Sequence, residues 1–238
     1  MKTPSKTLLI TMLIFTLSGG VKSQTQFAGW LATFQNYKVN DRFGFYFDAQ
    51  WRSTAQVQQM NALLLRPGIN FYFSPAFTGT VGYAFIPQQR ISTGVTGYLP
   101  EHRVWEQIVF SHAIKPVRAT VSHRLRVEHR FIPRHHAEGN DLVKDGHRYA
   151  GRVRYFARSV VPLGAKKEKG MFAAVQNEIF FHTASGGSFD QNRAYIAAGY
   201  RMSRQFDLEM GYMNQYIAGT GSASTNNHIL QVATYLRL

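Results

Sequence analysis

The chain has 238 residues, a formal charge of +14 at pH 7 and no cysteine. The absence of cysteine excludes a disulfide scaffold, and it excludes a lipid anchor of the kind attached to a cysteine. A basic excess favours nucleic-acid binding in general. Here the arginines are spread along periodic segments rather than gathered in one patch, so we expect no nucleic-acid partner.

The first segment of the chain has the pattern of a secretory signal peptide. A basic start is followed by an apolar run of ten residues, 8–17, and then by small residues that suit cleavage before Gln24. This run is too short for a spanning helix. We therefore predict a cleaved signal peptide over residues 1–23 and a single domain over residues 24–238. No later apolar run is long enough for a transmembrane helix.

Residues 117–131 show the clearest alternation in the chain. Apolar and polar residues alternate there over fifteen positions, with four arginines and one glutamate in the polar row. Successive side chains of a strand point to opposite sides, so such a strand has one apolar face and one charged face. Fifteen residues is about three times the mean strand length and is enough to cross a bilayer at a tilt.

The same alternation recurs along the whole chain. We predict strands at about residues 30–39, 43–52, 63–73, 77–85, 101–112, 117–131, 148–163, 171–182, 191–202, 206–215 and 227–238. The segments 87–100 and 133–147 are predicted to be polar loops. Glu106 shares the apolar face of its strand, so either a bulge shifts the register there or the side chain reaches away from the apolar layer.

These patterns predict an all-β fold, namely a transmembrane antiparallel β-barrel with a polar, charged lumen. Short turns alternate with longer loops, as in outer-membrane barrels with tight periplasmic turns and longer external loops. The predicted segments number eleven, whereas bacterial single-chain barrels have an even number of strands. We therefore predict ten or twelve strands, in the outer membrane of a Gram-negative cell.

The inward charged rows are the main candidate site. They contain Arg66, Arg124, Arg126, Glu128, Arg130, Arg152, Arg154, Arg158, Glu178, Arg193, Arg201, Asp207 and Glu209. One interpretation is a salt-bridged filling, because charges in a narrow barrel need partners and arginine binds carboxylates with two nitrogens. The alternative is a small anion-selective channel or pocket, because the arginines outnumber the carboxylates.

Three further alternatives are weaker. A lipid hydrolase would use a serine and a histidine, and the candidates are Ser111-His112, Ser122-His123, and His182 with Ser185. Adjacent strand residues point to opposite sides, so neither dipeptide forms a catalytic pair by itself.

A metal site is the next alternative, but the loop histidines His135, His136 and His147 lack carboxylates at ligand spacing. We expect no catalytic residue, metal or cofactor. A soluble lipocalin-like barrel would have its charges on the outside.

Several blocks of the sequence resemble a known family. They are LLLRPGINFYFS (63–74), GYAFIP (82–87), EHRVWEQ (101–107), HRLRVEHRF (123–131), RVRYFAR (152–158), NEIFFH (177–182), FDQNRAYIAAGY (189–200) and GYMNQY (211–216). The chain resembles domain of unknown function family 2490, outer-membrane β-barrel proteins of Bacteroidetes-type bacteria. The resemblance implies a barrel shape and an outer-membrane location, and it transfers no catalytic residue.

The expected partners follow from this location. They are outer-membrane lipid and the barrel-assembly machinery, with the oligomeric state left open. Basic residues near the predicted loop 133–147, such as Arg134, Lys144 and Arg148, would meet the phosphates of lipopolysaccharide.

Overall fold

Eleven β-strands make up almost all of the described chain. The structure, a computed structural model, describes residues 23–53, 55–164, 169–184, 186–219 and 224–238, so the predicted signal peptide lies almost entirely outside the described residues. The strands are β1 (Ser23–Lys38), β2 (Phe43–Ser53), β3 (Met60–Ser74), β4 (Phe77–Ser92), β5 (Val95–Ile114), β6 (Ala119–Glu138), β7 (Asp141–Pro162), β8 (Gly170–His182), β9 (Phe189–Arg201), β10 (Phe206–Ile217) and β11 (Ser224–Arg237). No helix in the described ranges is long and apolar enough to span a membrane.

The strands form one closed barrel, which confirms the prediction of an all-β barrel. Each strand pairs antiparallel with its neighbours in sequence, and β1 closes the barrel by pairing parallel with β11. The prediction of ten or twelve strands is wrong, because the barrel has eleven. An even count is required only when the closing pair is antiparallel. Here the first and last strands run in the same direction and share a parallel ladder from Ser23↔Ser224 to Asn36↔Arg237.

The register of β5 resolves the question raised by Glu106. The β4–β5 ladder runs from Ser92↔Val95 to Phe77↔Phe110 without a register shift. Glu106 therefore keeps its place in the alternation and lies on the outer face of the barrel. Its carboxylate is 3.2 Å from Nε2 of His129 on the neighbouring strand β6.

Two segments predicted to be loops are continuations of strands, so these predictions are wrong. β4 and β5 meet at a turn at Thr93 and Gly94, and β6 and β7 meet at Gly139 and Asn140. Gly94 and Gly139 have φ values of +85° and +59°, which suit glycine in tight turns. The apolar alternation ends before the hairpins do, because both faces of a strand that projects beyond the barrel wall meet water.

The two faces of the sheet differ sharply in chemistry. Large apolar side chains are exposed on the outside, including Phe45, Ile69 and Val81 at 57%, 57% and 62% exposure. The inner face holds the buried charges and two apolar clusters, one around Trp30 and one around Trp105. This sidedness is opposite to the lipocalin-like alternative, which needs its charges outside.

Candidate functional site: an arginine-rich lumen

All thirteen predicted lumen residues lie on the inner face of the barrel, and twelve of them form ion pairs there. The pairs with predicted members on both sides are Arg124–Glu178, Arg152–Glu128, Arg154–Glu128, Arg154–Glu178, Arg158–Glu209, Arg193–Glu178 and Arg201–Asp207. Arg66 and Arg130 pair with Asp48 and Glu101, which were not in the predicted set. Arg126 has no carboxylate within 4.0 Å among the described residues.

A continuous network of ion pairs connects the inner faces of strands β4 to β9. Its first centre is Glu101 on β5, whose side chain is completely buried. Oε1 of Glu101 accepts hydrogen bonds from Nε of Arg103 and Nε of Arg130, each at 2.7 Å. Arg90 approaches the other oxygen at 3.4 Å.

The network continues through two more glutamates. Glu128 accepts hydrogen bonds from Arg152 at 2.6 Å and from Arg103 at 3.2 Å, and it also contacts Arg154. Glu178 accepts hydrogen bonds from Arg154 and Arg124, each at 2.7 Å. The remaining partner of Glu178 is Arg193, at 3.8 Å.

Arg103 and Arg154 each bridge two of these glutamates, so the three carboxylates form one connected unit. We call Glu101, Glu128, Glu178 and their arginine partners the charge belt. Removal of charges from water costs several kcal/mol per ion unless each charge is paired and hydrogen-bonded. The belt satisfies this condition, since each of its carboxylates has several guanidinium partners. Arg130 donates to both oxygens of Glu101, and Arg154 donates with Nε and Nη2 to one oxygen of Glu178.

Smaller ion-pair groups lie between the belt and the end of the barrel that carries the β1–β2, β3–β4 and β9–β10 turns. Asp48 accepts a hydrogen bond from Arg66 at 2.7 Å and another from the hydroxyl of Tyr46 at 2.7 Å. Glu209 contacts Arg158 and accepts hydrogen bonds from the hydroxyls of two tyrosines. These groups anchor side chains from different strands to one another across the lumen.

A cavity of about 460 Å³ lies beside the charge belt, toward the end of the barrel that carries the β1–β2 turn. We call it the lower cavity. Its walls carry eight arginines but only two carboxylates, those of Asp48 and Glu178. The arginines are Arg52, Arg66, Arg124, Arg126, Arg154, Arg158, Arg193 and Arg237. The arginines in the lining of this cavity therefore outnumber its carboxylates.

A second cavity, of about 360 Å³, has a neutral lining. Its walls carry glutamine, asparagine and serine side chains, with alanine, isoleucine and tryptophan. Trp30 lines both cavities and is only 6% exposed. The indole of Trp30 therefore stands between a cationic compartment and a neutral one.

Two arginines of the lower cavity are held by amides instead of carboxylates. Nε and Nη2 of Arg126 both donate to Oε1 of Gln107, at 2.9 and 2.6 Å. Arg52 makes the same contact with Gln50, at 3.2 and 2.6 Å. Arg52, Gln50 and Gln107 are not among the predicted lumen residues. The two glutamines carry no charge, so in a polar row they resemble solvated positions.

Arg103, a member of the charge belt, and its neighbour Trp105 were missed for a different reason. Arg103 and Trp105 lie in the segment where Glu106 interrupts the apolar row, so the inward face of β5 was not identified from the sequence. The signal that locates it is the spacing of Glu101, Arg103 and Gln107, which keeps a strict period of two.

The structure separates the serine–histidine candidates. Ser111 and Ser122 face the lumen and their hydroxyl oxygens are 2.8 Å apart, whereas the rings of His112 and His123 stack outside with centroids 5.5 Å apart. Nε2 of His182 lies 3.7 Å from a carboxylate oxygen of Asp190. The remaining candidate, residue 185, lies outside the described residues.

Two of the three histidines considered for metal binding contact other side chains. His136 Nδ1 is 2.7 Å from the carboxylate of Asp145, and the ring of His147 packs against His102 with centroids 5.7 Å apart. Within the described ranges, no group of three or more histidine, aspartate or glutamate side chains is placed to hold a metal ion.

Comparison with known proteins identifies the family of this chain. The chain is 25% identical over 215 residues to an uncharacterized protein of Methylorubrum extorquens, and the match covers 87% of this chain and 86% of that protein. A solved structure titled as the NanC porin has a TM-score of 0.47 and 10% sequence identity, over 82% of this chain and 89% of that one. The profile of the family described as "Protein of unknown function (DUF2490)" matches residues 27–226. The chain therefore belongs to the DUF2490 family, as the sequence blocks indicated.

Proposed function

We propose that the protein is an integral outer-membrane β-barrel whose arginine-rich lumen admits small anions. The observation that carries this proposal is the excess of arginine in the lower cavity, where eight guanidinium groups face two carboxylates. Rings of arginine or lysine are the usual basis of anion selectivity in pores. The ion-paired belt and Trp30 narrow the path above this cavity.

The outer surface supports the membrane part of the proposal. The exposed face carries a dense set of phenylalanine, tyrosine, leucine, isoleucine and valine side chains. A monomeric soluble protein rarely exposes a contiguous apolar surface of this kind. In a closed barrel every strand also has two neighbours, so its backbone hydrogen bonds remain satisfied in lipid. Export through the signal peptide and insertion by the barrel-assembly machinery belong to the same proposal.

Bilayer recording on the refolded protein tests the proposal. In a KCl gradient we expect a reversal potential that indicates preference for chloride. Replacement of Arg126 and Arg154 by glutamine should lower that preference, because it removes two positive charges from the lumen. Arg42→Gln serves as the control, since Arg42 is exposed in the turn between β1 and β2. Cation preference, or a protein that stays monodisperse without detergent and ignores vesicles, would overturn the proposal.

The basic residues of the β6–β7 hairpin add a lipid contact to this proposal. Arg134, Lys144 and Arg148 are all exposed on the part of the hairpin nearest the Gly139-Asn140 turn. At the outer surface they would meet the phosphates of lipopolysaccharide, and each contact would be weakened by salt. The test compares lipopolysaccharide binding at about 0.1 M and about 0.5 M salt, since the higher concentration shortens the Debye length to a few ångströms. Binding that is equally strong at both concentrations would exclude this contact.

A further inference from the structure

We propose that the lower cavity contains a binding site for a small organic dianion with two carboxylate groups, held by Arg126 and Arg52. This inference rests on the proposed anion-accepting lumen and names the ligand class and the residues. Arg126 lies on β6 and Arg52 on β2, four strands apart around a barrel of eleven. The two guanidinium groups therefore enter the lower cavity from separate walls.

These two arginines form no ion pair with a carboxylate in the part of the chain that the structure describes. Six of the eight arginines that line the lower cavity pair with a carboxylate. Arg126 and Arg52 are the other two, and within the described ranges their side-chain hydrogen bonds go to amide oxygens. Two unneutralised positive charges in one cavity match a ligand with two negative charges.

Burial makes this arrangement unfavourable in the absence of an anion. Arg126 is only 1% exposed. A buried charge without a counter-charge is strongly destabilising. A carboxylate bound at Arg126 would supply the counter-charge that the wall lacks, as Glu178 does for its neighbour Arg124.

Both guanidinium groups are also held in fixed orientations. Arg126 lies over the ring of Trp105 at 4.2 Å, and Arg52 lies over the ring of Trp30 at 3.8 Å. In each arginine the Nε–Nη2 edge is occupied by a glutamine oxygen, so Nη1 remains to donate to a further acceptor. Such orientation lowers the entropy cost of binding a carboxylate.

The volume and lining of the cavity limit the size of the ligand. About 460 Å³ lies at the lower end of the range for small-molecule sites. Asn36, Asn70 and Gln176 offer further polar groups, and Phe34 and Phe156 offer apolar contact. A short-chain dicarboxylate carries two negative charges and is small enough for a cavity of this volume.

Conversion of the glutamines to glutamates provides a sharp test. Gln107→Glu and Gln50→Glu preserve side-chain shape but place a carboxylate beside Arg126 and Arg52, so they neutralise the proposed site from within the wall. We would measure succinate binding to the detergent-refolded barrel by titration calorimetry at constant ionic strength. Acetate and succinamide would serve as the singly charged and neutral probes. Gln205→Glu, in the exposed turn before β10, is the matched control.

We expect saturable binding of one succinate per barrel, with acetate and succinamide much weaker. Each wall substitution should weaken succinate binding at least about tenfold, because the new carboxylate neutralises the arginine and repels the carboxylate of the ligand. Gln205→Glu should leave the affinity unchanged. Circular dichroism checks that every variant is folded. Equal binding of succinate and acetate, or wild-type affinity in both wall variants, would overturn the assignment.

The outcome separates this site from the proposed function. A barrel that binds succinate in micelles but neither inserts into vesicles nor conducts would retain the site and lose the membrane function. A barrel that conducts anions but binds no succinate would retain the function and lose the site.

Discussion

From the contacts in the charge belt we predict that Glu178→Gln lowers the free energy of unfolding more than Glu128→Gln does. Substitution of one partner of a buried ion pair typically costs about 3–5 kcal/mol, because the opposite charge stays buried without compensation. In Glu128→Gln, each arginine keeps one carboxylate: Arg103 keeps Glu101 at 2.7 Å, Arg154 keeps Glu178 at 2.7 Å, and Arg152 keeps Asp190 at 3.2 Å. We therefore expect a loss at the lower end of that range, about 3 kcal/mol.

Glu178→Gln removes a carboxylate that has no substitute. Arg124 and Arg193 have Glu178 as their carboxylate partner within the described ranges. We expect a loss toward the upper end of the range, about 5 kcal/mol, and hence a larger loss than for Glu128→Gln.

Reversible unfolding in guanidinium chloride, followed by tryptophan fluorescence of the barrel in phospholipid vesicles, measures both free energies. Glu138→Gln, at an exposed position beside the β6–β7 turn, should leave the unfolding midpoint unchanged. If Glu128→Gln cost as much as Glu178→Gln, or if both cost less than about 1 kcal/mol, the range of an exposed pair, the role assigned to the belt would be wrong.

Three further changes have definite expected results. In Gly82→Ala the new Cβ would lie 2.2 Å from Cζ2 of Trp105, so chemical denaturation should show a loss of about 1–3 kcal/mol from overpacking, and an unchanged midpoint would contradict the packing. Trp30→Ala should raise single-channel conductance severalfold, because the indole separates the two cavities; unchanged conductance would place the constriction elsewhere. The hydrogen bond to Asp145 raises the pKa of His136, so this pair supports the hairpin tip below the ordinary histidine pKa and the support is lost as pH rises through the raised value. Tryptic cleavage of the hairpin should therefore increase from pH 6 to pH 8, relative to His136→Gln at each pH.

Alternation in the sequence was enough to predict the barrel and the inward charged rows. The reason is that a period of two assigns each side chain to a face whether or not the neighbouring strands are known. The same logic failed where a strand leaves the apolar layer, as at the β4–β5 and β6–β7 hairpins. The alternation also did not show how the barrel closes. The parallel pairing of β1 with β11 follows from the odd number of strands and not from any single residue.

The partners of the charges could not be predicted from the sequence. Which arginine meets Glu128 depends on the register of β5, β6 and β7 and on the tilt of the strands around the barrel. Arg154 reaches both Glu128 on β6 and Glu178 on β8 because these strands flank its own. A pattern within one strand contains no record of such contacts.

Under the proposed function, the two interpretations of the inward charges, a salt-bridged filling and an anion-attracting lumen, apply to different parts of the same barrel. In the charge belt every glutamate has at least three arginine neighbours, so the side chains there hold one another in place. Beside the lower cavity, Gln50 and Gln107 occupy the places where a carboxylate would complete the same pattern. A wall built only for stability would gain from glutamate at these positions, because a paired charge costs less to bury than an unpaired one. The amides instead orient Arg52 and Arg126 without neutralising them, which is the arrangement that an anion-binding site requires.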